Sequence, residues 1–204
     1  MRKLTEQEEF WMGKFASEYI QRNRMDNLLP SYTAQMAAIL SKTRSVESVI
    51  EFGANIGVNL LAIRTLIPKV KVAAIEVNKQ AITSLNKIDE IEIYPMSILD
   101  FEPQLKWDFV FTKGVLIHIN PKDLNLVYQK LYDSSKKYIC IIEFYNPTPV
   151  MVCYRGHENK LFKRDFCGEL MDIYSDLELL DYGFTYHRDN NFPEADMTWF
   201  LLKK

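Results

Sequence analysis

The sequence predicts a doubly wound α/β domain built on a mostly parallel sheet. Five short apolar runs in the middle of the chain are separated, for the most part, by segments with helical spacing. The runs are nearly continuous rather than alternating, which is typical of strands covered by helices on both faces. The five predicted strands are residues 48–52, 70–75, 91–94, 107–111 and 138–144.

The composition indicates a single globular domain. The chain has 204 residues, of which 48% are hydrophobic and 25% are charged, and this length suits one core. Lys and Arg (25) nearly balance Asp and Glu (27), for a net charge of -2. We therefore expect neither a nucleic-acid nor a membrane partner. The N-terminus lacks a signal-peptide pattern, and we expect a cytoplasmic protein.

The first 45 residues predict helices that precede the sheet. Thr5 and Glu8 have the spacing of a capping box, and large aromatic side chains follow at helical spacing, so a helix is expected from residue 6 to about 22. These side chains are Trp11, Phe15 and Tyr19. A second helix is expected from about residue 32 to 41, after Pro30.

The end of the chain departs from the alternating pattern. Two strand candidates, residues 177–184 and 198–202, leave no room for a helix between them and should pair as an antiparallel hairpin at one edge of the sheet. Residues 146–160 form the longest segment predicted to be irregular, and we interpret residues 146–164 as a substrate-binding loop.

The cysteines and histidines do not form a metal site in the sequence. The chain has three cysteines, an odd number without a CxxC pair, and one of them lies inside an apolar run. We expect reduced thiols and no bound metal. The three cysteines are Cys140, Cys153 and Cys167.

The turn after the first strand carries the most informative motif. Gly53 and Gly57 form a GxxxG turn between strand and helix, with Glu51 just before it. Gly53 permits the tight turn, and we expect Gly57 to let the helix pack closely on the strand. Asn55 stands where a dinucleotide fingerprint has its middle glycine, which disfavours a pyrophosphate ligand. Glu76 ends the second strand, where an acidic side chain accepts hydrogen bonds from ribose hydroxyls. This pattern predicts a nucleoside without a pyrophosphate, such as S-adenosylmethionine.

Together with residues 108–119, these motifs resemble those of class I S-adenosylmethionine-dependent methyltransferases. Several longer strings are similar to methylases associated with pseudaminic acid biosynthesis. The strings span residues 112–121, 143–147, 154–157, 161–166 and 181–184. The resemblance implies a Rossmann-like, seven-stranded sheet whose last strand is antiparallel. It also implies an N-terminal helical lid over the cofactor, with residues 1–45 as lid and 46–204 as core.

By this resemblance, the cofactor residues follow the carboxyl ends of the strands, with one group in the lid. Adenine would contact Ser97 and Ile98, although Asp100 could take the adenine amine instead. Tyr19, Arg22 and Asn23 form a polar edge of the N-terminal helix, where the tyrosine or the arginine could hold the amino-acid end of the cofactor. The alternative is ordinary packing of that helix. The remaining expected cofactor residues are Glu51, Gly53, Ala54, Asn55, Gly57, Glu76, Val77 and Lys113.

His118 is the candidate catalytic residue. It lies six residues after Thr112, near the expected position of the sulfonium methyl, where an imidazole could accept a proton from the acceptor. The alternative is a structural histidine packed beneath the following helix, because positioning alone can drive methyl transfer.

The residues expected to contact the substrate surround a basic segment of the predicted loop. Arginine side chains there suit a carboxylate or phosphate, and aromatic residues are interleaved with the charges. These residues are Tyr145, Tyr154, Arg155, His157, Lys163 and Arg164.

The sequence thus predicts an enzyme that methylates an oxygen or nitrogen atom of a small, anionic metabolite. The resemblance implies a sugar or nucleotide-activated sugar of glycan biosynthesis, with S-adenosylhomocysteine as the second product. The alternative is a cofactor-binding regulator or scaffold of a glycan pathway without catalytic activity. Oxidoreduction with a nicotinamide cofactor is disfavoured by Asn55.

Overall fold

A computed structural model describes residues 2–22 and 25–204 of the chain. A seven-stranded sheet has the order β3-β2-β1-β4-β5-β9-β8, and a separate hairpin is formed by β6 and β7. The strands are β1 (Ser48–Phe52), β2 (Lys71–Ile75), β3 (Ile91–Tyr94), β4 (Trp107–Lys113), β5 (Ser135–Glu143), β6 (Val150–Tyr154), β7 (His157–Lys163), β8 (Glu178–Phe184) and β9 (Thr198–Lys203).

Helices cover both faces of this sheet. They are α1 (Glu6–Met12), α2 (Lys14–Arg22), α3 (Met25–Leu40), α4 (Val58–Leu66), α5 (Lys79–Leu85), α6 (Leu124–Ser134) and α7 (Phe166–Ile173). Two short 3₁₀ turns, Leu116–His118 and Pro121–Asp123, connect β4 to α6. In the described part of the chain, no helix is both long and apolar enough to span a membrane.

The topology confirms the predicted fold class. β1 pairs in parallel with β2 and β4, while β2 and β3, and β4 and β5, are also parallel pairs. β9 is antiparallel to both β5 and β8, so the C-terminal hairpin inserts β9 beside β5 and leaves β8 at the edge. Because the carboxyl ends of β1, β2 and β4 meet, the residues that follow these strands share one edge of the sheet.

Two hydrophobic clusters lie on opposite faces of the sheet. In β1, Ile50 and Phe52 pack into the cluster with α6 and α7, while Val49 packs into the cluster with α3, α4 and α5. All of these β1 side chains are fully buried. This burial on both faces explains why the strands read as continuous apolar runs.

The predicted helix boundaries in the N-terminal region are wrong. The single helix expected from residue 6 to about 22 is two helices, broken at Gly13, whose extended backbone ends α1. The second predicted helix starts earlier than expected, at Met25, and contains Pro30. Proline removes one helical hydrogen bond, but Met36 and Ile39 of the same helix are completely buried in the core. This packing outweighs the local cost of the proline.

The prediction of an irregular segment at residues 146–160 is also wrong in part. β6 and β7 form an antiparallel hairpin in which Tyr154 pairs with His157. The two residues between them, Arg155 and Gly156, both have positive φ, at 49° and 85°. Two-residue hairpin loops favour this conformation, but Arg-Gly is a weaker sequence signal than Asn-Gly or Asp-Gly.

Gly57 performs a different packing role from the expected one. Its φ is 83°, and a Cβ atom there would lie 2.5 Å from Ile88 Cδ1 and 2.8 Å from Leu85 Cδ2. The glycine therefore allows close approach of the end of α5 and the loop after it, rather than of the strand.

We expect Gly57→Ala to lower the free energy of unfolding by about 2 kcal/mol, measured by urea denaturation. About 1 kcal/mol comes from the left-handed backbone, and about 1 kcal/mol more from overpacking against Ile88 and Leu85. Gly156→Ala is the matched control, because its φ is 85° and no atom lies within 4 Å of the added Cβ. Equal losses in the two variants would contradict the packing role.

Candidate active site

A deep cleft opens at the carboxyl ends of β1, β2 and β4, beneath α1 and α2. Its empty volume is about 1000 Å³, including the open mouth. Predicted site residues that line this cleft are Tyr19, Gly53, Asn55, Glu76, Val77, Ser97, Ile98, Lys113 and His118. A smaller pocket of about 430 Å³ shares Tyr19, Gly53, Asn55 and Lys113 with the cleft and adds Glu51 and Ala54.

Glu76 organises the turns at the base of the cleft. Its Oε2 accepts a hydrogen bond from the backbone N–H of Asn55 (2.7 Å), and its Oε1 accepts from those of Val77 and Asn78 (2.8 Å each). Burial raises the pKa of Glu76, while the three backbone hydrogen bonds oppose this shift. A carboxylate offers about four acceptor positions, so one remains available at the cleft.

The smaller pocket collects oxygen atoms that lack hydrogen-bond donors. Glu51 Oε2, Asn55 Oδ1 and Asn59 Oδ1 are buried and have no hydrogen-bond partner among the residues that the structure describes. Asn59 Nδ2 donates to Glu51 Oε1 at 2.6 Å. Burial raises the pKa of Glu51 to about 8. An unpaired buried polar atom costs about 1–3 kcal/mol, so this pocket suits a ligand that donates several hydrogen bonds.

The two candidates for the adenine contact separate in the structure. Ser97 is buried in the cleft, where its Oγ accepts from the backbone N–H of Leu99 at 3.1 Å. Asp100 is exposed, is not among the lining residues and is paired with Arg2 at 3.1 Å.

Glu8 of α1 also lines the cleft and is paired with Arg2, although the sequence did not indicate it as a site residue. Burial opposes ionisation of Glu8, but hydrogen bonds from Arg2, Ser97 and Thr5 lower its pKa to about 2.

Lys113 is buried in a polar cluster between α3 and the loop joining β8 to β9. Its Nζ donates to Gln35 Oε1 at 2.7 Å, forms an ion pair with Glu194 and lies 3.2 Å from the ring centre of Tyr32. Burial lowers the pKa of Lys113, and the carboxylates of Glu194 and Glu51 oppose this shift. The positive charge of Lys113 is therefore matched within the protein.

His118 is buried in an aromatic environment at the wall of the cleft. Its Nδ1 lies 2.5 Å from the carbonyl oxygen of Lys160, and its ring lies against those of Trp11 and Tyr154. Since a carbonyl only accepts, Nδ1 carries the proton and Nε2 is unprotonated. Burial lowers the pKa of His118 to about 4, so the imidazole is neutral at pH 7 and can accept a hydrogen bond.

Glu143 supports the loop that carries His118. Its Oε1 accepts from the backbone N–H groups of Val115 and Leu116 (2.8 Å each), while Oε2 is buried without a hydrogen-bond partner in the described ranges. Burial raises the pKa of Glu143 to about 8. The sequence analysis did not assign this residue a role.

The structure does not bring the predicted substrate residues into the cleft lining. Tyr154 and His157 pack against Phe15 of α2, and Arg155 is exposed at the hairpin turn. Tyr145 is near Phe200, Lys163 lies over the ring of Phe144, and Arg164 is paired with Glu169.

Arg22, which was predicted to contact the cofactor, lies over the ring of Phe15 and is not among the lining residues of the cleft. Asn23 lies outside the described residues.

Several residues of the site were missed by the sequence analysis. Asn59 could have been found, because it is the second residue of the helix that follows the glycine turn. Asn78 caps α5 and donates from Nδ2 to the carbonyl of Trp11 at 3.0 Å, which ties α1 to the end of β2. No sequence pattern indicates that Gln7 and Glu8 belong to the site, because only contacts with residues far away in the sequence bring them to the cleft.

Several solved structures with a similar fold are methyltransferases. Neither a family model nor a curated protein matches the sequence. A 1,6-didemethyltoxoflavin-N1-methyltransferase from Burkholderia thailandensis aligns with a TM-score of 0.73 at 12% identity, covering 100% of this chain and 92% of that chain. The plantazolicin methyltransferase BpumL, solved with SAH, gives 0.67 at 14% identity, covering 97% and 93%.

A third structure is the N-methyltransferase NodS from Bradyrhizobium japonicum WM9, with a TM-score of 0.64 at 15% identity, covering 85% of this chain and 93% of that chain. At these identities the likeness concerns the fold. The chain therefore has the Rossmann-like fold of class I S-adenosylmethionine-dependent methyltransferases.

We expect Glu143→Gln to reduce the loss of stability at alkaline pH. The folded-state pKa of Glu143 is raised from 4.5 to about 8. Its contribution is therefore fully present below pH 4.5 and is lost as the pH rises through 8. Glutamine keeps the acceptor for Val115 and Leu116 but does not ionise.

We expect the free energy of unfolding of the variant, measured by urea denaturation between pH 5 and 9, to rise relative to that of the wild type as the pH rises. The difference should reach about 1–3 kcal/mol at the alkaline end. Comparison with the wild type cancels the contribution of Glu51. The exposed Glu178→Gln serves as control. Parallel stability curves for Glu143→Gln and the wild type would show that Glu143 ionises as freely in the folded protein as in the unfolded chain.

Proposed function

We propose that this chain is an S-adenosylmethionine-dependent methyltransferase that acts on a small molecule. The main support is the set of buried acceptor atoms at the ends of β1 and β2. Glu76 lines the cleft with one acceptor position left. Glu51, Asn55 and Asn59 line the adjoining pocket, and each has an oxygen without a hydrogen-bond partner in the part of the chain that the structure describes. The fold of the chain supports the same conclusion.

Different polar residues of the cleft would contact different parts of S-adenosylmethionine. Glu76 would accept from the ribose, and Ser97 and Ile98 would border the adenine. The methionine ammonium carries three donors, which match the oxygens of Glu51, Asn55 and Asn59. Gly53 has a φ of 78° and leaves no room for a Cβ, which would lie 2.6 Å from Val115 Cγ2. The turn therefore leaves the cofactor a side-chain-free backbone surface.

The chain would contribute positioning and a proton acceptor to the reaction. When bound, S-adenosylmethionine supplies an electrophilic methyl group whose bonding pair stays on sulfur as the acceptor's lone pair forms the new bond. His118 presents an unprotonated Nε2 for the acceptor's proton. α1 and α2 would act as a lid that excludes water, since Trp11, Ala16 and Tyr19 line the cleft.

The proposed acceptor is a small polar metabolite, and the sequence resemblance favours a sugar or nucleotide-activated sugar of glycan biosynthesis. Lys113 is paired with Glu194, so an anionic group of the acceptor would lie outside the cleft rather than on this lysine. Arg155 and His157 are exposed on the hairpin and remain the proposed contacts for such a group.

Calorimetric titration with S-adenosylhomocysteine tests the cofactor proposal. We expect binding to the wild type and a loss of affinity of about tenfold or more in Glu76→Ala, equivalent to about 1.4 kcal/mol, because the ribose loses its acceptor. The exposed Glu178→Ala should bind like the wild type, and thermal unfolding checks that Glu76→Ala is folded. No binding to the wild type would refute the proposal. Binding without turnover of any acceptor would favour a regulator or scaffold.

Proton release tests the ammonium pocket separately. Without ligand, Glu51 has a pKa of about 8, so it is mostly protonated at pH 7. A bound ammonium favours the ionised form. Binding of S-adenosylhomocysteine at pH 7 should therefore release up to about one proton, and the release should decrease as the pH rises above 8.

Calorimetry in two buffers of different ionisation enthalpy measures this release. Glu51→Gln cannot ionise and should lose most of it. Unchanged proton release in Glu51→Gln would place the ammonium elsewhere.

A further inference from the structure

Two consecutive carbonyls of β7 hold two side chains that line the cleft. Gln7 of α1 donates from Nε2 to the carbonyl of Asn159 at 3.0 Å. His118 donates from Nδ1 to the carbonyl of Lys160, the next residue. Both Gln7 and His118 are buried, with 4% and 6% of their surface exposed, and both line the cleft.

An irregularity in the hairpin explains why neighbouring carbonyls can serve the same region. In a regular strand, successive carbonyls point in opposite directions. Here the register between β6 and β7 shifts between Val152 and Tyr154, and Asn159 on the facing strand has a φ of 57°. Between these two pairs β7 has three residues where β6 has one, and the left-handed backbone of Asn159 rotates the chain locally, as in a β-bulge. The hairpin thereby directs both carbonyls to side chains of the cleft wall.

Each carbonyl fixes the orientation of its partner. Because a carbonyl only accepts, the amide of Gln7 turns its NH₂ group to Asn159 and its Oε1 away from the hairpin. This Oε1 is buried and has no hydrogen-bond partner within the ranges that the structure describes. The imidazole of His118 turns its N–H to Lys160, which leaves Nε2 as an acceptor.

A neighbouring cation of β7 is engaged with α1 and not with these two acceptor atoms. The ammonium group of Lys160 is paired with Glu6 of α1. The ring of Trp11, 4.7 Å from that of His118, is the adjoining apolar surface. The wall therefore suits a group with two hydrogen-bond donors and disfavours one that only accepts, such as a carboxylate.

We propose that Gln7 Oε1 and His118 Nε2 bind the nucleophilic group of the methyl acceptor, and that this group carries two hydrogen-bond donors. A primary amine and a pair of adjacent hydroxyls have this chemistry. The inference rests on the proposed function, because it assigns the ribose and ammonium of the cofactor to Glu76 and to the Glu51 pocket. It makes Gln7 a specificity-determining residue contributed by the lid.

Nitrogen NMR of histidine-labelled protein saturated with S-adenosylhomocysteine tests the site without a known acceptor. D-glucosamine, which carries an amine beside hydroxyls, is the probe, and acetate is the acceptor-only control. We expect the Nε2 resonance of His118 to report an unprotonated nitrogen and to move on addition of glucosamine but not of acetate. An Nε2–H tautomer, or no response to glucosamine, would overturn the proposal.

Gln7→Met separates this site from the cofactor site. It should weaken glucosamine binding by about tenfold, as expected for loss of one hydrogen bond to a charged or polar donor, and leave the affinity for S-adenosylhomocysteine unchanged. Gln80→Met, on the exposed start of α5, is the matched control. Equal weakening of both ligands would assign Gln7 to the cofactor and refute the proposal. Failure of the wild type to bind S-adenosylhomocysteine would instead refute the proposed function.

Discussion

The hydrogen bonds of the Glu76 carboxylate are the constraint on which the cleft depends. They join the turn after β1, through Asn55, to the turn after β2, through Val77 and Asn78. Asn55 has a φ of 49°, and its backbone N–H reaches Glu76 from this conformation. Asn78 in turn caps α5 and holds the end of α1. One buried carboxylate thus sets the positions of two turns and, through Asn78, of α1.

Three buried carboxylates end three parallel strands, and their partners give them different roles. Glu76 is satisfied by three backbone donors, Glu143 by two, and Glu51 by one side-chain amide. Burial disfavours the charged form of each, so an unused oxygen is costly unless a ligand or a proton satisfies it. The pattern follows this rule: the least satisfied of the three carboxylates, Glu51, borders the pocket that is proposed to hold the cofactor's ammonium group.

The β6–β7 hairpin connects α1 to the cleft wall. Lys160 binds Glu6 of α1 through its side chain and His118 through its carbonyl, while Asn159 binds Gln7. Displacement of α1 would therefore remove Gln7 from the wall and break the Lys160 ion pair. The position of α1 and the shape of the cleft wall are linked through contacts of the same two hairpin residues.

The sequence by itself determined the doubly wound sheet, its antiparallel C-terminal pair and the residues at the ends of β1 and β2, because these depend on hydrophobic period and local turn chemistry. Most predicted cofactor residues accordingly line the two pockets. The break at Gly13, the β6–β7 hairpin and the placement of Ser97 rather than Asp100 in the cleft lining were decided by the tertiary structure. So were the placements of Gln7, Glu8 and Glu143, and the exposure of Arg155 and His157. These features depend on contacts between residues far apart in the chain and on the solvation of buried charge, neither of which leaves a periodic pattern in sequence.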